Sequence, residues 1–455
     1  MFDSHRPRGM KSGQALLMVT LALVPMLALV GLVTDIGYMY YLQSAAQAAA
    51  DSAVLAAAYR FNHTFSTSGL SCGNPAWICN ETPTPCPAAL TSATNPVETA
   101  CIYAKQNGFS PADPRQNVTV VSDLSPTIPT APGIGGAGWW ITVRVTQSVP
   151  QLFSAVMGHS TALVSARATA AVQPGLGCVY ALDPSASAAF YENGNVSFQS
   201  ACGIYVNSNA VDAMLGTGGA ILKASAINDV GNVSWQGTIL PAPNTGIQPF
   251  PDPLESLLPP FPCSSTAGCD DADCSAHPKQ VIVNSDTTLS PGTYCGGIAV
   301  KNATATFSPG TYIIVGGGIR TQDTNSHVRG SGLFFYNTYN STNAYTPIDF
   351  NANSDVQIAA ATSGTYAGIL FMQDRACCSG IVPTESFQGG ATSFFEGVLY
   401  FPRSMVAFAG NPSLDLAHYT IVVARLFNIR GTSTMNNDYS QLTGGNPIKQ
   451  VGLVE

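Results

Sequence analysis

The sequence predicts a mainly β protein with an N-terminal transmembrane α-helix. A small α/β membrane-proximal region follows the helix, and a right-handed parallel β-helix-like (β-solenoid) domain follows that. Three observations predict this. Ala15 to Val33, ALLMVTLALVPMLALVGLV, is an uncharged apolar run preceded by Arg6, Arg8 and Lys11. Beyond Cys178 the chain breaks into short apolar runs punctuated by Gly, Asn and Ser, and Ser290-Pro291-Gly292-Thr293-Tyr294 returns eighteen residues later as Ser308-Pro309-Gly310-Thr311-Tyr312. Charged residues are 10% of the 455, against about 25% in an ordinary soluble domain.

Residues 1–14 are a basic tail and 15–34 the span. At about 1.5 Å per residue the run covers about 28 Å, the thickness of bilayer hydrocarbon. Basic residues before it and Asp35 after it place the N-terminus in the cytoplasm and the rest of the chain on the trans side. Tyr38, Tyr40 and Tyr41 then fall where an interfacial aromatic belt belongs. A cleavable secretory signal, with Ala45 to Ala50 mimicking its small-residue site, and a buried core helix are the competing readings. Pro25 is compatible with a membrane helix. The net charge of −8, with no Lys/Arg cluster, excludes a nucleic-acid partner. All twelve cysteines lie beyond the span, an even number on the trans side, which reads as disulfides in an oxidising compartment.

Residues 35–60 are an alanine-rich helical extension. Gly13-Gln14-Ala15, the apolar span, Asp35, Gly37, Leu42-Gln43 and the run Ala45 to Ala58 resemble the start of TadG-like (TadE/TadG-type) proteins of the bacterial Tad/Flp pilus-assembly system. Dense alanine favours helix and permits close backbone approach, so Ala45, Ala46, Ala49, Ala50, Ala53, Ala56 and Ala57 are the candidate contacts to a partner helix. Packing on the chain's own domain is the equal alternative. Pilin-like relatives carry a glutamate five residues after a processing glycine; here Met18 stands there. That departure implies a retained anchor rather than a processed major filament subunit.

Residues 61–175 read as the α/β region. Val97 to Asn107 has helical spacing and Val118 to Val121 reads as a strand. Trp140 to Val145, WITVRV, alternates as a strand, Gln151 to Met157 is a short helix and Ala162 to Val172 another strand. This order also resembles the membrane-proximal part of the TadG-like family. Cys72, Cys79, Cys86 and Cys101 lie in or beside its entry loop, with three connectivities open. Residues 176–455 form the solenoid, since repeats of about 20 residues with strand-turn texture indicate stacked coils. A β-sandwich is the alternative. The SPGTY, GILF and GVLYFP phrases also resemble C-terminal regions of TadG-like proteins, and the proline-rich passage 240–262 is a linker or long loop between coils.

No catalytic, cofactor or metal residue is expected. Asp183-Pro184-Ser185-Ala186-Ser187 fits a D-x-S-x-S cation loop but lacks the doubly wound context, so it reads as a turn. Cys269, Asp270, Asp271, Asp273, Cys274 and His277 read as a disulfide-bonded acidic loop, with Cys263 and Cys295 as flanking partners. Cys178 and Cys202, one coil apart, are candidates to clip neighbouring coils. Cys377 and Cys378 either bond each other or take separate partners. Asp349, Asp355, Asp374 and Arg375 are the residues to test for glycan chemistry, but their spacing does not follow the coil period. Six scattered histidines form no dyad, no G-x-S-x-G elbow appears, and Asn195-Val196-Ser197 and Asn302-Ala303-Thr304 read as polar turns.

The expectation is therefore a non-enzymatic, single-pass inner-membrane protein whose periplasmic (or exported) β-domain acts in Tad/Flp pilus assembly or anchoring. Its expected partners are the inner membrane and other assembly or pilin subunits, with self-association left open. A membrane-tethered β-helix that binds or cleaves polysaccharide, and a surface adhesin, are the alternatives.

Overall fold

A computed structural model of the chain describes residues 12–64, 71–73, 75, 77–125, 127–128, 131–135, 138–263, 268–350, 354–390, 392–410, 416–442 and 445–454. The chain is mainly β and divides into two compact units, one of 1–65, 70–173 and 451–455, the other of 66–69 and 174–450.

In the first unit, helix α1 runs Ser12–Thr64 with Pro25 inside it. The expected span, 15–34, includes side chains outside those described, at 15, 16, 24, 27 and 28. Among the described residues no helix is long and apolar enough to cross a membrane. Helix α2, Pro96–Gln106, starts where Asn95 accepts the Glu98 amide at 2.9 Å and the Glu98 carboxylate accepts the Thr94 amide at 2.6 Å. These reciprocal bonds satisfy donors that a helix start leaves without partners. A five-stranded sheet takes the order Asn80–Pro85, Gln116–Asp123, Trp139–Pro150, Thr161–Pro174, Lys449–Leu453. Alternation sorts its faces. Trp139, Ile141, Val143 and Val145 are buried with Ala100 and Ala104 of α2 and the alanines of α1, whereas Arg144 and Thr146 are on the other face. A 3-10 turn at Ser154–Met157 stands where a short helix over 151–157 was expected.

The second unit is a parallel stack. Gly177–Ala181, Phe190–Asn193 and Ser197–Ser200 form a first tier, on which Gly203–Val206 and Met214–Lys223 pair in parallel, and then Ile227–Asp229 and Val233–Leu240. The chain next starts afresh at Val281–Val283, Thr287–Leu289 and Gly292–Cys295, and each later tier pairs in parallel with the one before it. The last strands, Thr420–Gly431 and Ser433–Met435, pair in parallel with the first tier, Val422 beside Val179, Phe427 beside Phe190 and Ser433 beside Phe198. The chain therefore enters its own stack in the middle.

In-register stacking puts like positions in columns about 4.8 Å apart. One column runs Tyr312, Phe335, Phe371, Leu399, Val422, Val179, Ile204, Ile227, apolar throughout and continuous across the junction. Its Phe335 and Phe371 rings stack at 5.0 Å. The repeated SPGTY phrase has one local meaning in both copies: Tyr294 donates to the Ser290 carbonyl and Tyr312 to the Ser308 carbonyl, each at 2.7 Å. The glycine step after it is required by space, because a Cβ on Gly317, at φ +72°, would lie 1.9 Å from the Gly296 carbonyl oxygen of the tier below.

All twelve cysteines are paired, as Cys72–Cys79, Cys86–Cys101, Cys178–Cys202, Cys263–Cys269, Cys274–Cys295 and Cys377–Cys378. Cys178–Cys202 joins the first tier to the second, and the adjacent residues Cys377 and Cys378 bond each other. The proline-rich passage is the return path between the two series of tiers. It is held along the stack by Asn207, whose amide exchanges bonds with the Phe250 backbone at 3.1 and 3.2 Å, and by Tyr366, which donates to the Leu258 carbonyl at 3.0 Å.

Candidate recognition surfaces

Helix α1 has two different halves. From Leu42 onward it is packed: Ala46, Ala49, Ala50, Ala53 and Ala57 are fully buried, with Ala45 and Ala56 half-buried, against α2 and the sheet of their own unit. Phe61 stacks on Trp139 with ring centroids 4.3 Å apart. Of the two packing readings of the alanine run, this is the intramolecular one. Before residue 37 the described apolar side chains are bare, Leu17, Met18, Val19, Leu21, Met26, Leu29, Val30, Val33 and Ile36 all being more than half exposed. Tyr38, Tyr40 and Tyr41 are also more than half exposed, and within this stretch Asp35 is buried. Its carboxylate accepts the amides of Leu152, Phe153 and Ser154 at 3.1, 3.0 and 2.8 Å and the Ser154 hydroxyl at 3.0 Å. These bonds, the Ser154 amide foremost, hold it below the usual carboxylate range. Gly31 lets the Phe153 ring approach; a Cβ there would meet the ring at 2.2 Å. The turn thus presents exposed Leu152 and half-exposed Phe153 beside the bare half of the helix.

The sheet face turned away from the helices carries a trough of about 590 Å³ lined by Thr119, Asp123, Trp140, Thr142, Arg144 and Arg167, among others. Thr142 and Thr169 share a hydroxyl bond at 2.8 Å under it, and Arg144 donates from Nε to Ser165 Oγ at 3.1 Å.

Residues 13–60 match the family model Tad, putative Flp pilus-assembly TadE/G-like. The resemblance to TadG-like proteins carried by Gly13 to Ala58 is borne out by this match. The comparisons with curated proteins and with solved structures returned no match. The Tad segment includes the exposed apolar half of α1, Asp35 and the buried alanines, and it suggests a pilus-assembly-related role and a cell-envelope location.

Outside the Tad segment, two of the carboxylates named for glycan chemistry, Asp355 and Asp374, are held by separate partners. Asp349 opens the strand Asp349–Phe350, Asp355 opens the strand Asp355–Ala360, and Asp374 follows the strand Ile369–Gln373. Asp355 forms an ion pair with Arg329 and accepts Thr392 Oγ1 at 2.9 Å. Asp374 accepts the Thr338 hydroxyl at 2.6 Å and the Ala376 amide at 2.8 Å. Arg375 clamps the return passage, donating to the Leu254 and Leu257 carbonyls and, from Nε, to Tyr400 Oη, while Tyr400 donates to Asp252 at 2.6 Å.

The D-x-S-x-S loop is a turn with an ion pair. Asp183 accepts the Ser185 and Ala186 amides at 3.0 and 2.8 Å and Arg425 Nε at 2.8 Å. Burial raises its affinity for a proton, but the Ser185 amide and Arg425 prevail and its pKa is lowered. In the acidic loop, Asp270 accepts the Ser341 amide at 2.8 Å, Asp273 the Ser275 amide at 2.9 Å, and His277 stacks on Tyr294 at 4.2 Å. Among the described residues, the group of metal-type ligands within reach of one another is Cys72, Cys79 and Asp123, and its sulfurs are joined in a disulfide that leaves no thiolate.

Two buried carboxyls had no sequence signal as sites. Glu192 sits in the column Phe408, Ile429, Glu192, Gly216, and desolvation, only partly offset by the Phe198 and Ile221 amides, pushes it up to about 8. Glu385 is raised by burial to about 7 and accepts Tyr345 Oη and Ser404 Oγ, each at 2.7 Å, and the Ile348 amide at 2.6 Å.

Proposed function

We propose that the chain is a membrane-anchored, non-enzymatic component of Tad/Flp pilus assembly that acts by protein–protein recognition from the trans side of the inner membrane. The observation that carries this reading is the Tad segment together with the bare apolar half of its helix. A continuous exposed apolar surface on a helix is stable in water only when something apolar covers it. The uncharged run Ala15 to Val33 has the length for lipid to be that cover. Leu152 and Phe153, fixed beside Gly31 and Asp35, then rest at the bilayer surface as an interfacial foot.

The second unit is a right-handed parallel β-solenoid in this reading, supported by the parallel register between tiers and the continuous apolar column. Six disulfides fit an oxidising periplasm. The use of Asp355 and Asp374 in bonds to Arg329, Thr392, Thr338 and the Ala376 amide favours a scaffold over a polysaccharide-cleaving enzyme, which needs a pair of carboxylates available across one bond. The test is deletion of the gene in its native host, scored for pili by electron microscopy. Complementation uses the wild type, a Leu21→Arg/Leu29→Arg variant, and an Asp349→Ala/Asp355→Ala/Asp374→Ala variant. Loss of pili, with rescue by the wild type and the triple variant but not by the arginine variant, supports the reading. Normal pili in the deletion strain overturn it.

A further inference from the structure

We propose that Ser404 and Gln373 become joined by a side-chain ester that ties neighbouring tiers of the second unit together, formed by attack of the Ser404 hydroxyl on the Gln373 carboxamide with Glu385 as the base. Gln373 ends the strand Ile369–Gln373 and Glu385 lies in Thr384–Gly389. Ser404 lies in the long strand Phe394–Gly410, which pairs in parallel with both of them. The ladders thus bring residues far apart in the chain to one corner of the stack. All three side chains are fully buried.

Each group stands where acyl transfer needs it. Ser404 Oγ donates to Glu385 Oε1 at 2.7 Å, so the nucleophile already points its proton at a carboxyl oxygen. Gln373 Nε2 donates to Ser404 Oγ at 2.5 Å, and with a C–N bond of about 1.33 Å the carboxamide carbon lies within about 3.8 Å of that oxygen. The Arg403 amide donates to Gln373 Oε1 at 2.8 Å, which fixes the orientation of the carboxamide and sets a donor on the oxygen that turns negative during attack. Tyr345 Oη accepts from Gln373 Nε2 at 2.9 Å and donates to Glu385 Oε1 at 2.7 Å, linking the leaving nitrogen to the base. Cys378, beside the carboxamide, is bonded to Cys377 and offers no rival thiolate. In the reaction the Ser404 Oγ–carbon bond forms and the carbon–Nε2 bond breaks. The hydroxyl proton passes through Glu385 to the departing nitrogen, and one ammonia leaves with no redox change. Burial raises Glu385 to about 7, which suits it to take and return a proton near neutral pH. The same burial shields the ester from water.

The test is mass spectrometry of the full chain, purified in detergent, then reduced, alkylated and digested with trypsin. The wild type is expected to yield residues 330–375 and 404–425 as one linked peptide, lighter than the sum of the two by one ammonia and separated by alkaline hydroxylamine. Ser404→Ala is expected to yield the two peptides apart. In a pulse-labelled time course, Glu385→Gln is expected to slow linkage about 100-fold or more. Separate peptides of full mass from the wild type would show an unreacted hydrogen-bond network and overturn the proposal. So would a linked peptide that persists in Ser404→Ala, a link that hydroxylamine leaves intact, or a folded Glu385→Gln protein that links as fast as the wild type. The wild-type digest decides without any variant, so a variant that fails to fold cannot mask the answer. None of these outcomes touches the anchor reading, which the pilus count decides.

Discussion

Glu192 shows how a single buried residue turns an apolar column into a pH-sensitive one. Period-two alternation in Phe190-Tyr191-Glu192-Asn193 puts Phe190 and Glu192 on the same, inward face, and the burial pattern follows it. The carboxyl therefore has Ile429 and Gly216 as register neighbours and binds its proton more tightly folded than unfolded, pushed up to about 8 from its ordinary 4.5. Its contribution is fully present below about pH 4.5 and is lost as pH rises toward 8, at about 1.4 kcal/mol per pH unit. Thermal melts are expected to fall in that window, and Glu192→Gln is expected to flatten the fall; an unchanged slope would show that Glu192 is ionised inside. At Gly31 the constraint is steric. Gly31→Leu forces Phe153 away and is expected to cost about 1–3 kcal/mol, with faster proteolysis at residues 151–158 as the readout. Neither partner was legible locally. Asp35 reads in sequence as a flanking charge, and the amides that donate to it lie at 152–154, a separation no pattern encodes.

At the scale of elements, the sheet of the first unit has an edge that side chains protect. Gln43 and Gln47, one helical turn apart on α1, donate to the Ser165 and Arg167 carbonyls at 2.8 and 3.1 Å. They occupy acceptors that would otherwise template pairing with another chain. Gln43→Ala/Gln47→Ala is expected to lose about 1–2 kcal/mol and to shift size-exclusion profiles toward oligomers; a monodisperse profile would show that the edge needs no such cover. Elements with a clear period were the legible ones. WITVRV alternates, and its strand and two faces follow from that alone, including the outward row that lines the trough. The alanine run was legible as a helix but not in its partner, because small residues admit any close neighbour, and here α2 and the sheet fill the space. The trough itself was not legible, since Arg144 and Arg167 meet only through antiparallel register.

Over the whole second unit, the order of tiers in space differs from their order in the chain, and this sets how the stack must fail. The SPGTY repeat announces stacking where neighbours are eighteen residues apart, but the junction of Val179 with Val422 joins residues that no local phrase connects. Loop-closure entropy grows only logarithmically with length, so so distant a pairing is tolerated in equilibrium while it slows folding. The first tier and the last thus complete each other's hydrogen bonding, with Phe190 and Phe427 rings 5.9 Å apart at the junction. Phe427→Asp places a charge in that seam and is expected to destabilise by more than about 3 kcal/mol. In hydrogen exchange, protection should then fall together in 177–200 and 420–435, though they lie at opposite ends of the unit's sequence. Leu289→Asp, in the tier at the far end, should loosen 281–307 first and leave the junction protected, because each tier pairs only with its neighbours. Protection lost in 420–435 alone after Phe427→Asp would mean that the two series of tiers are held separately, and that the return passage, clamped by Arg375 and Tyr400, rather than the seam makes them one body.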